Sequence, residues 1–317
     1  MTVTGGPSPL QPLDPSMTAV LDLIPDTALD AGSVAEIREL MVAMMPPTPL
    51  DGLAVREAVI DESTGVTVRI FSDGSDATGR PCVYSIHGGG YVIGDRCMDD
   101  SRLATWVRLL GCVTVSVEYR LAPEHPFPAA IEDCYGGLCW VHEHADELGI
   151  DPDRIGVSGV SAGGGLTASL ALLARDRGDV AVAFQLLDCP MLDDRQVTPS
   201  SQTEGLRLWS TESNEFGWRS YLGELYGTDR IPSHAAPARA TDLSGLPPAI
   251  VVVGTVDGFR DEDIEYATRL NQAGVPTELH VYPGAPHGFS LFGDAAAAKQ
   301  GAEDLVRWLG RQFAGEL

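Results

Sequence analysis

Basic residues are scarce in this sequence. Its 317 residues include 21 lysines and arginines against 45 aspartates and glutamates, so the formal net charge at pH 7 is −24. Such a surface repels a phosphate backbone, which argues against a nucleic-acid-binding protein. The chain is nevertheless 44% hydrophobic and 21% charged, a composition that is typical of a folded globular protein and not of a disordered one.

Membrane and targeting signals are also missing from the sequence. No apolar run approaches the roughly 18 residues that a membrane helix needs, and the first 26 residues contain neither a basic residue nor a long apolar stretch. The six cysteines are scattered singly, without CxxC pairs. We therefore expect a cytoplasmic protein that makes no membrane contact and keeps reduced, mostly buried thiols.

From residue 83 onward, short apolar runs alternate with amphipathic segments of helical length. Most of the runs are continuously apolar, which is typical of parallel strands that are buried on both faces. The pattern predicts an α/β fold in which helices cover both faces of a mostly parallel central sheet. The predicted strands are residues 82–87, 112–119, 154–159, 182–188, 249–254 and 278–283.

Two segments stand outside this alternation. Residues 1–50 have the pattern of two helices, the second opened by Ser33 and Glu36 in a capping-box arrangement. Residues 193–245 form an aromatic-rich connection that is far longer than an ordinary loop. We expect both segments to form a helical cap over the carboxyl ends of the strands, where open α/β sheets place their sites. Residues 51–317 would then be the α/β domain that carries the insertion.

Three consecutive glycines, residues 88–90, follow a histidine at the end of a predicted strand. The spacing from Gly89 to Gly94 matches a P-loop, but Asp95 stands where the phosphate-binding lysine belongs. The dinucleotide-binding pattern fails as well, because Ile93 occupies the place of its third glycine. Two interpretations remain. The segment is either a plain glycine-rich turn or a loop whose bare backbone N–H groups bind a developing oxyanion.

A candidate nucleophile lies in the sequence GVSAG, residues 159–163, after a predicted strand and immediately before a predicted helix. In this context G-x-S-x-G is typical of a nucleophile elbow, in which small neighbours allow a sharply turned serine at the helix N-terminus. Ser161 is the candidate, and a simple Gly/Ser-rich connection is the alternative. The N–H of Ala162 and the helix dipole would both favour negative charge on a substrate oxygen.

A serine hydroxyl needs a base to accept its proton. Of the seven histidines, His287 lies in a short loop between the last predicted strand and the last helix, whereas the others have structural interpretations. For the order Ser, acid, His, the acid is Asp257, three residues after the end of a strand. The acids at 261–263 fall in the first turn of a helix, where they favour its dipole. Asp257 would hold the tautomer of His287 and stabilise its imidazolium form.

With these residues identified, the sequence resembles the hormone-sensitive-lipase-like family of α/β-hydrolase carboxylesterases, and within it the bacterial heroin-esterase-type acetylesterases. The matching motifs are HGGGYVIGD, VEYRLAPEHPFPAAIEDC, GVSAGGGL, DGFRDEDIEYATRL and YPGAPHGF, in the family's order through residues 83–292. The resemblance implies a nucleophile Ser161, an acid Asp257, a base His287, and an oxyanion hole from the N–H groups of Gly89, Gly90 and Ala162. It also implies a helical cap and a homodimer formed through the edge of the sheet.

Two positions depart from the family's pattern. Val160 stands where members often have Asp, Glu or Thr, so we expect changed polar contacts around the elbow or a changed pocket shape. Gly258 follows the acid where many members have Pro or Leu, which would loosen that loop.

The combined prediction is a serine carboxylesterase that hydrolyses small-molecule esters of short to medium acyl chains and needs no metal or organic cofactor. Three alternatives share the scaffold: a non-catalytic binding protein such as the hydrolase-like hormone receptors, a lyase, and an interfacial lipase, which the lack of a secretion signal disfavours. The aromatic residues of the insertion, among them Trp209, Phe216 and Trp218, either line the pocket or pack the interior of the cap.

Overall fold

A single sheet carries the architecture, and the computed structural model describes residues 9, 11–22, 28–44 and 48–316. Its strands are β1 (Ala54–Asp61), β2 (Val66–Ser72), β3 (Arg80–Ile86), β4 (Val113–Glu118), β5 (Ile150–Val160), β6 (Gln185–Asp188), β7 (Ala249–Val256) and β8 (Thr277–Pro286). Within the described residues they pair in the order β1-β2-β4-β3-β5-β6-β7-β8. Strands β3 to β8 are all parallel to one another, whereas β2 is antiparallel to its neighbours β1 and β4.

Helices follow most of the parallel strands, as the sequence predicts. They are α1 (Pro15–Leu21), α2 (Val34–Met44), α3 (Asp100–Leu110), α4 (Ala129–Glu143), α5 (Ala145–Leu148), α6 (Ala162–Arg177), α7 (Thr211–Leu222), α8 (Arg260–Gln272) and α9 (Ala296–Ala314). Short 3₁₀ turns occur at Ser200–Gln202, Gly223–Leu225, Pro237–Arg239 and Phe289–Leu291. None of the helices in the described part of the chain is long and apolar enough to cross a membrane.

The core lies on both faces of the sheet. Alternate side chains of β3 point to opposite faces, so Val83 packs in a cluster with residues of α3 and α9, and Tyr84 packs with residues of α4 and α6. Helix α6 is buried from Ala162 to Ala174, because it lies against the sheet and beside α4, and only its last turn reaches the surface. The predicted α/β fold, with its mostly parallel sheet and helices on both faces, is confirmed.

Of the two segments expected to form the cap, residues 193–245 are described throughout, whereas several residues of 1–50 lie outside the described ranges. Helix α2 begins directly after Ser33, but the Ser33 hydroxyl accepts the N–H of Asp30 at 3.0 Å. Arg38 of α2 donates from Nε to the carbonyl of Val92 at 2.7 Å and forms an ion pair with Glu124 at 2.9 Å. These contacts attach α2 to the loops that follow β3 and β4.

Candidate active site

The turn between β5 and α6 holds Ser161 in a strained conformation. Its φ of 57° and ψ of −121° are unfavourable for a side chain with a Cβ, and such strain is concentrated at functional sites. The Ser161 N–H donates to the carbonyl of Asp188 at 2.8 Å, and its own carbonyl accepts the N–H groups of Gly165 and Met191, each at 2.9 Å. Strand β6 and the segment after it therefore fix the turn.

The glycines of the turn are required by close approaches of backbone. A methyl group on Gly159 would lie 2.2 Å from the carbonyl oxygen of Gly163, and one on Gly163 would lie 2.1 Å from that of Ile86. On the other side, a methyl group on Gly88 would lie 2.9 Å from the carbonyl oxygen of Val160. The nucleophile elbow and the glycine loop are thus in direct contact through bare Cα atoms.

Three side chains from separate loops meet at this turn. His287 Nε2 lies 2.9 Å from Ser161 Oγ, and His287 Nδ1 lies 2.8 Å from Asp257 Oδ2. An ionised carboxylate can only accept hydrogen bonds, so Nδ1–H donates to Asp257 and leaves Nε2 to accept from the serine hydroxyl. All three side chains are buried. The predicted serine, acid and histidine therefore form one hydrogen-bonded chain.

Hydrogen bonds within the loop after β7, and one from the insertion, hold Asp257 and its loop in place. Asp257 Oδ1 accepts the N–H of Phe259 at 2.9 Å, and the Phe259 ring contacts His287 edge-on at 5.0 Å between centroids. The Gly258 carbonyl accepts the hydroxyl of Ser200 at 2.9 Å. This bond to the insertion anchors the loop at the residue that was expected to loosen it.

The glycine loop follows β3 with unusual backbone angles. Gly89 and Gly90 have φ values of 113° and 58°, which glycine adopts without strain, and Tyr91 follows with φ of 67°, which is unfavourable for a residue with a Cβ. The carbonyl of Gly89 accepts the N–H of Ile93 at 2.9 Å, which closes the loop. Within the described residues, no acceptor is bonded to the N–H groups of Gly89, Gly90 or Ala162. No protein acceptor among the described residues therefore competes for the three predicted oxyanion donors.

His87 contacts the glycine loop from its buried side and does not belong to the hydrogen-bonded chain of Ser161, His287 and Asp257. It is fully buried, donates from Nδ1 to the Gly88 carbonyl at 2.8 Å, and stacks on Tyr119 at 4.2 Å between ring centroids. The Tyr119 hydroxyl donates to the His87 carbonyl at 3.0 Å. Burial lowers the pKa of His87, which favours the neutral ring. These contacts fit its expected role in positioning the loop.

The aromatic residues of the insertion divide between the two predicted roles. Trp218 is fully buried and packs against Tyr91, with 5.2 Å between ring centroids. Trp209 lies against the glycine loop, because a methyl group on Gly90 would come within 2.0 Å of its Cη2. Its indole N–H donates to Asn214 Oδ1 of α7 at 3.2 Å. The Trp209 ring thus limits the space beside Gly90, one of the candidate oxyanion donors.

Buried acids surround the carboxyl ends of β6 and β7. Glu262 accepts the N–H groups of Leu192 and Asp193 through Oε1 at 2.8 and 3.1 Å. Asp263 is completely buried, and neither of its carboxyl oxygens has a hydrogen-bond partner within the described residues. Burial raises the pKa of both carboxyl groups well above their usual values.

Asp188, at the end of β6, is another buried acid, and it has a cationic partner. Its Oδ2 lies 3.0 Å from Nη1 of Arg102 on α3. Burial nevertheless raises the pKa of Asp188, although Arg102 acts in the opposite direction.

The sequence interpretation overlooked Cys189. This residue directly follows β6, and its sulfur, a nitrogen of His287 and a carboxylate oxygen of Asp257 all lie within 4.8 Å of one another. Among the described residues this is the single group of three or more His, Cys, Asp or Glu side chains with metal-ligand spacing. The sequence shows only that Cys189 follows a predicted strand; that this strand lies between those that carry Ser161 and Asp257 is seen in the fold.

Comparison with known proteins agrees with this geometry. A family model described as the α/β hydrolase fold matches residues 83–291. The solved structure of a bacterial heroin esterase is 42% identical, with a TM-score of 0.89, and the match covers 95% of this chain and 98% of that one.

Curated relatives include carboxylesterase NlhH of Mycobacterium tuberculosis, which is 37% identical over 299 residues, or 91% of this chain and 93% of the relative. The arylesterase of Saccharolobus solfataricus is 33% identical over 261 residues, or 79% of this chain and 83% of the relative.

The chain therefore belongs to the α/β-hydrolase family and, within it, to the hormone-sensitive-lipase-like carboxylesterases. It is a carboxylic ester hydrolase, similar to the bacterial heroin esterase in fold and sequence. Both predictions, of the family and of the enzyme class, are confirmed.

Proposed function

We propose that the protein hydrolyses esters through an acyl-enzyme on Ser161, with His287 as general base and Asp257 as the acid that orients it. The observation that carries the proposal is the position of His287, 2.9 Å from the serine oxygen and 2.8 Å from the carboxylate. A base in hydrogen-bond contact with both a hydroxyl and an orienting carboxylate is the arrangement that activates a serine.

In the first half of the reaction His287 Nε2 accepts the proton of Ser161 as Oγ attacks the ester carbonyl. The N–H groups of Gly89, Gly90 and Ala162 donate to the oxyanion that forms. His287 then passes its proton to the departing alcohol, which leaves the acyl group on Ser161. In the second half water replaces the alcohol, so that His287 deprotonates the water and then returns the proton to Ser161. Asp257 stabilises the imidazolium and stays ionised throughout.

We further propose a preference for short to medium acyl chains. Trp209 occupies the space beside Gly90, so the volume next to the bound carbonyl is limited on that side. We expect turnover to fall along a series of p-nitrophenyl esters from acetate and butyrate to longer chains. Replacing Trp209 by alanine should move the acyl-chain length with the highest turnover to longer chains. An unchanged optimum would show that Trp209 does not limit the acyl site.

The central experiment compares Ser161→Ala with Ser169→Ala, a matched change at a buried serine of α6. With p-nitrophenyl acetate or butyrate, loss of the nucleophile should lower kcat by up to about 10⁶-fold, while Ser169→Ala keeps its turnover. A fluorophosphonate probe should label the wild type and Ser169→Ala but not Ser161→Ala. Undiminished turnover of folded Ser161→Ala contradicts the proposal. Product analysis separates hydrolysis, which yields an acid and an alcohol, from the lyase alternative, which yields an alkene.

We extend the proposal to the cap of the site and to the oligomeric state of the protein. We infer that residues 1–50 and 193–245 act as the cap of a catalytic domain formed by 51–317, since Arg38 and Trp209 contact the loops around the glycines.

We also infer a cytoplasmic homodimer that pairs through β8, an edge strand with a partly exposed Leu279. Light scattering on the purified protein tests the dimer, and a monomer at working concentration contradicts it.

A further inference from the structure

Cys189 is a thiol that the proposed reaction does not use, although it lies beside two of the reacting groups. The cysteine is fully buried, and Asp257 and His287 are 2% and 8% exposed. One ligand atom of each lies within 4.8 Å of the others. The three residues come from three adjacent loops, after β6, β7 and β8, so the strand order alone brings them together.

A thiolate, an imidazole and a carboxylate are the ligand types that Zn²⁺ takes in proteins. With metal–ligand bonds of about 2.0 to 2.3 Å, the ligand atoms of a tetrahedral site lie roughly 3.3 to 3.7 Å apart. Here Nδ1 of His287 and Oδ2 of Asp257 are 2.8 Å apart, and a nitrogen of His287, a carboxylate oxygen of Asp257 and the Cys189 sulfur all lie within 4.8 Å of one another. Shifts of about 1 Å would therefore bring the three atoms to the spacing that a metal requires.

Backbone groups already orient two of these ligands. The Cys189 N–H donates to the carbonyl of Val252 at 2.7 Å, which fixes the backbone that carries the thiol. Asp257 accepts the N–H of Phe259 on Oδ1, which leaves Oδ2 to face the histidine. Hydrogen bonds of this kind orient ligands in metal sites and raise their affinity.

The surrounding charge also favours a cation. Asp188 lies near the sulfur in addition to Asp257, whereas Asp263 keeps its proton because burial raises its pKa. Burial also raises the pKa of the Cys189 thiol well above its usual value, so the metal must displace the thiol proton. Zn²⁺ and Cd²⁺ bind thiolate and imidazole, whereas Mg²⁺ and Ca²⁺ prefer oxygen ligands alone. The ligand set thus selects the thiophilic cations.

We propose that a thiophilic divalent cation such as Zn²⁺ or Cd²⁺ binds Cys189, Asp257 and Nδ1 of His287 and thereby switches off the esterase. The inference rests on the proposed role of His287 as general base. On binding, the thiol releases its proton to solvent and the sulfur–metal bond forms. The imidazole proton moves from Nδ1 to Nε2 as Nδ1 gives its lone pair to the metal. Nε2 then carries a hydrogen and cannot accept the proton of Ser161, so the nucleophile stays inactive.

The experiment titrates the full-length protein with Zn²⁺ and with Cd²⁺ in a buffer that does not chelate metals. We expect the wild type to lose p-nitrophenyl butyrate turnover with both cations and to recover it with EDTA, while Mg²⁺ and Ca²⁺ have no effect. In Cys189→Ser the cation concentration for half-inhibition should rise at least about tenfold. Cys139→Ser, at a half-buried thiol of α4, is the matched control and should behave as the wild type.

A second readout does not depend on turnover. Cd²⁺ bound to a thiolate gives a charge-transfer absorption in the ultraviolet, which should appear in the wild type and in Ser161→Ala and be absent in Cys189→Ser and Cys189→Ala. Equal inhibition of the wild type and Cys189→Ser, or no absorption in the wild type, overturns the metal site. A fully active Ser161→Ala that still gives the absorption overturns the proposed mechanism and leaves the metal site standing.

Discussion

Replacing Asp263 by asparagine should stabilise the folded protein, and the gain should grow with pH. Burial raises the pKa of this carboxyl group well above its usual value, and the neighbouring Glu262 and Asp257 raise it further. The folded state therefore keeps a proton that the unfolded chain releases near pH 4. Above that pH the folded state binds one more proton than the unfolded state, so the free energy of unfolding falls as pH rises.

The magnitude follows from proton linkage. Each pH unit between the unfolded and the folded pKa of Asp263 lowers the free energy of unfolding of the wild type by about 1.4 kcal/mol. Asparagine has a similar shape and carries no such proton. Between pH 5 and pH 7 the advantage of Asp263→Asn over the wild type should therefore increase, with an upper limit of about 3 kcal/mol for a carboxyl group that stays protonated over both units.

Urea unfolding followed by tryptophan fluorescence at pH 5, 6 and 7 measures this difference. The control is Glu265→Gln on the same helix, α8, where the side chain is exposed and its removal should leave the pH dependence unchanged. A difference between Asp263→Asn and the wild type that stays constant from pH 5 to 7 would refute the reasoning. It would mean that Asp263 releases its proton at the same pH in both states.

Three further predictions concern the site and its supports. Gly90→Ala would place a methyl group 2.0 Å from Trp209 Cη2, and the displaced donor should lower kcat by roughly 10²- to 10³-fold; an unchanged kcat speaks against Gly90 as an oxyanion donor. Asp257→Asn should lower kcat by about 10⁴-fold with little change in fold, as steady-state kinetics and circular dichroism can check. Arg102→Met leaves the buried carboxylate of Asp188 without its partner and should cost about 3 to 5 kcal/mol of stability in chemical denaturation; a loss under 1 kcal/mol contradicts a buried pair.

The parallel part of the sheet could be predicted because each of its strands is an apolar run long enough to be recognised. The six predicted strands occur within four residues of their predicted bounds. Strands β1 and β2 lie before the segment in which the alternation was recognised, and neither was predicted. Strand β1 is an edge strand whose side chains are largely exposed. Its sequence, AVREAVID, has charged residues that hide the strand pattern.

The chain of Ser161, His287 and Asp257 was accessible from sequence because each residue lies in a motif that follows a strand. The positions of Cys189 and Trp209 were not, because they depend on contacts between segments far apart in the chain. Cys189 comes close to Asp257 and His287 only because β6, β7 and β8 are neighbours in the sheet. Trp209 reaches Gly90 across more than a hundred residues. Contacts of this kind leave no local pattern in one sequence.

The close approach of the elbow and the glycine loop has a consequence for protein engineering. Gly88, Gly159 and Gly163 each have a backbone oxygen where a Cβ would be placed, so a library that randomises these codons would consist almost entirely of inactive clones. Trp209 touches the same loop with a side chain, which can be exchanged without moving the backbone. Saturation mutagenesis for altered ester preference should therefore begin at the tryptophan codon and keep the three glycine codons fixed.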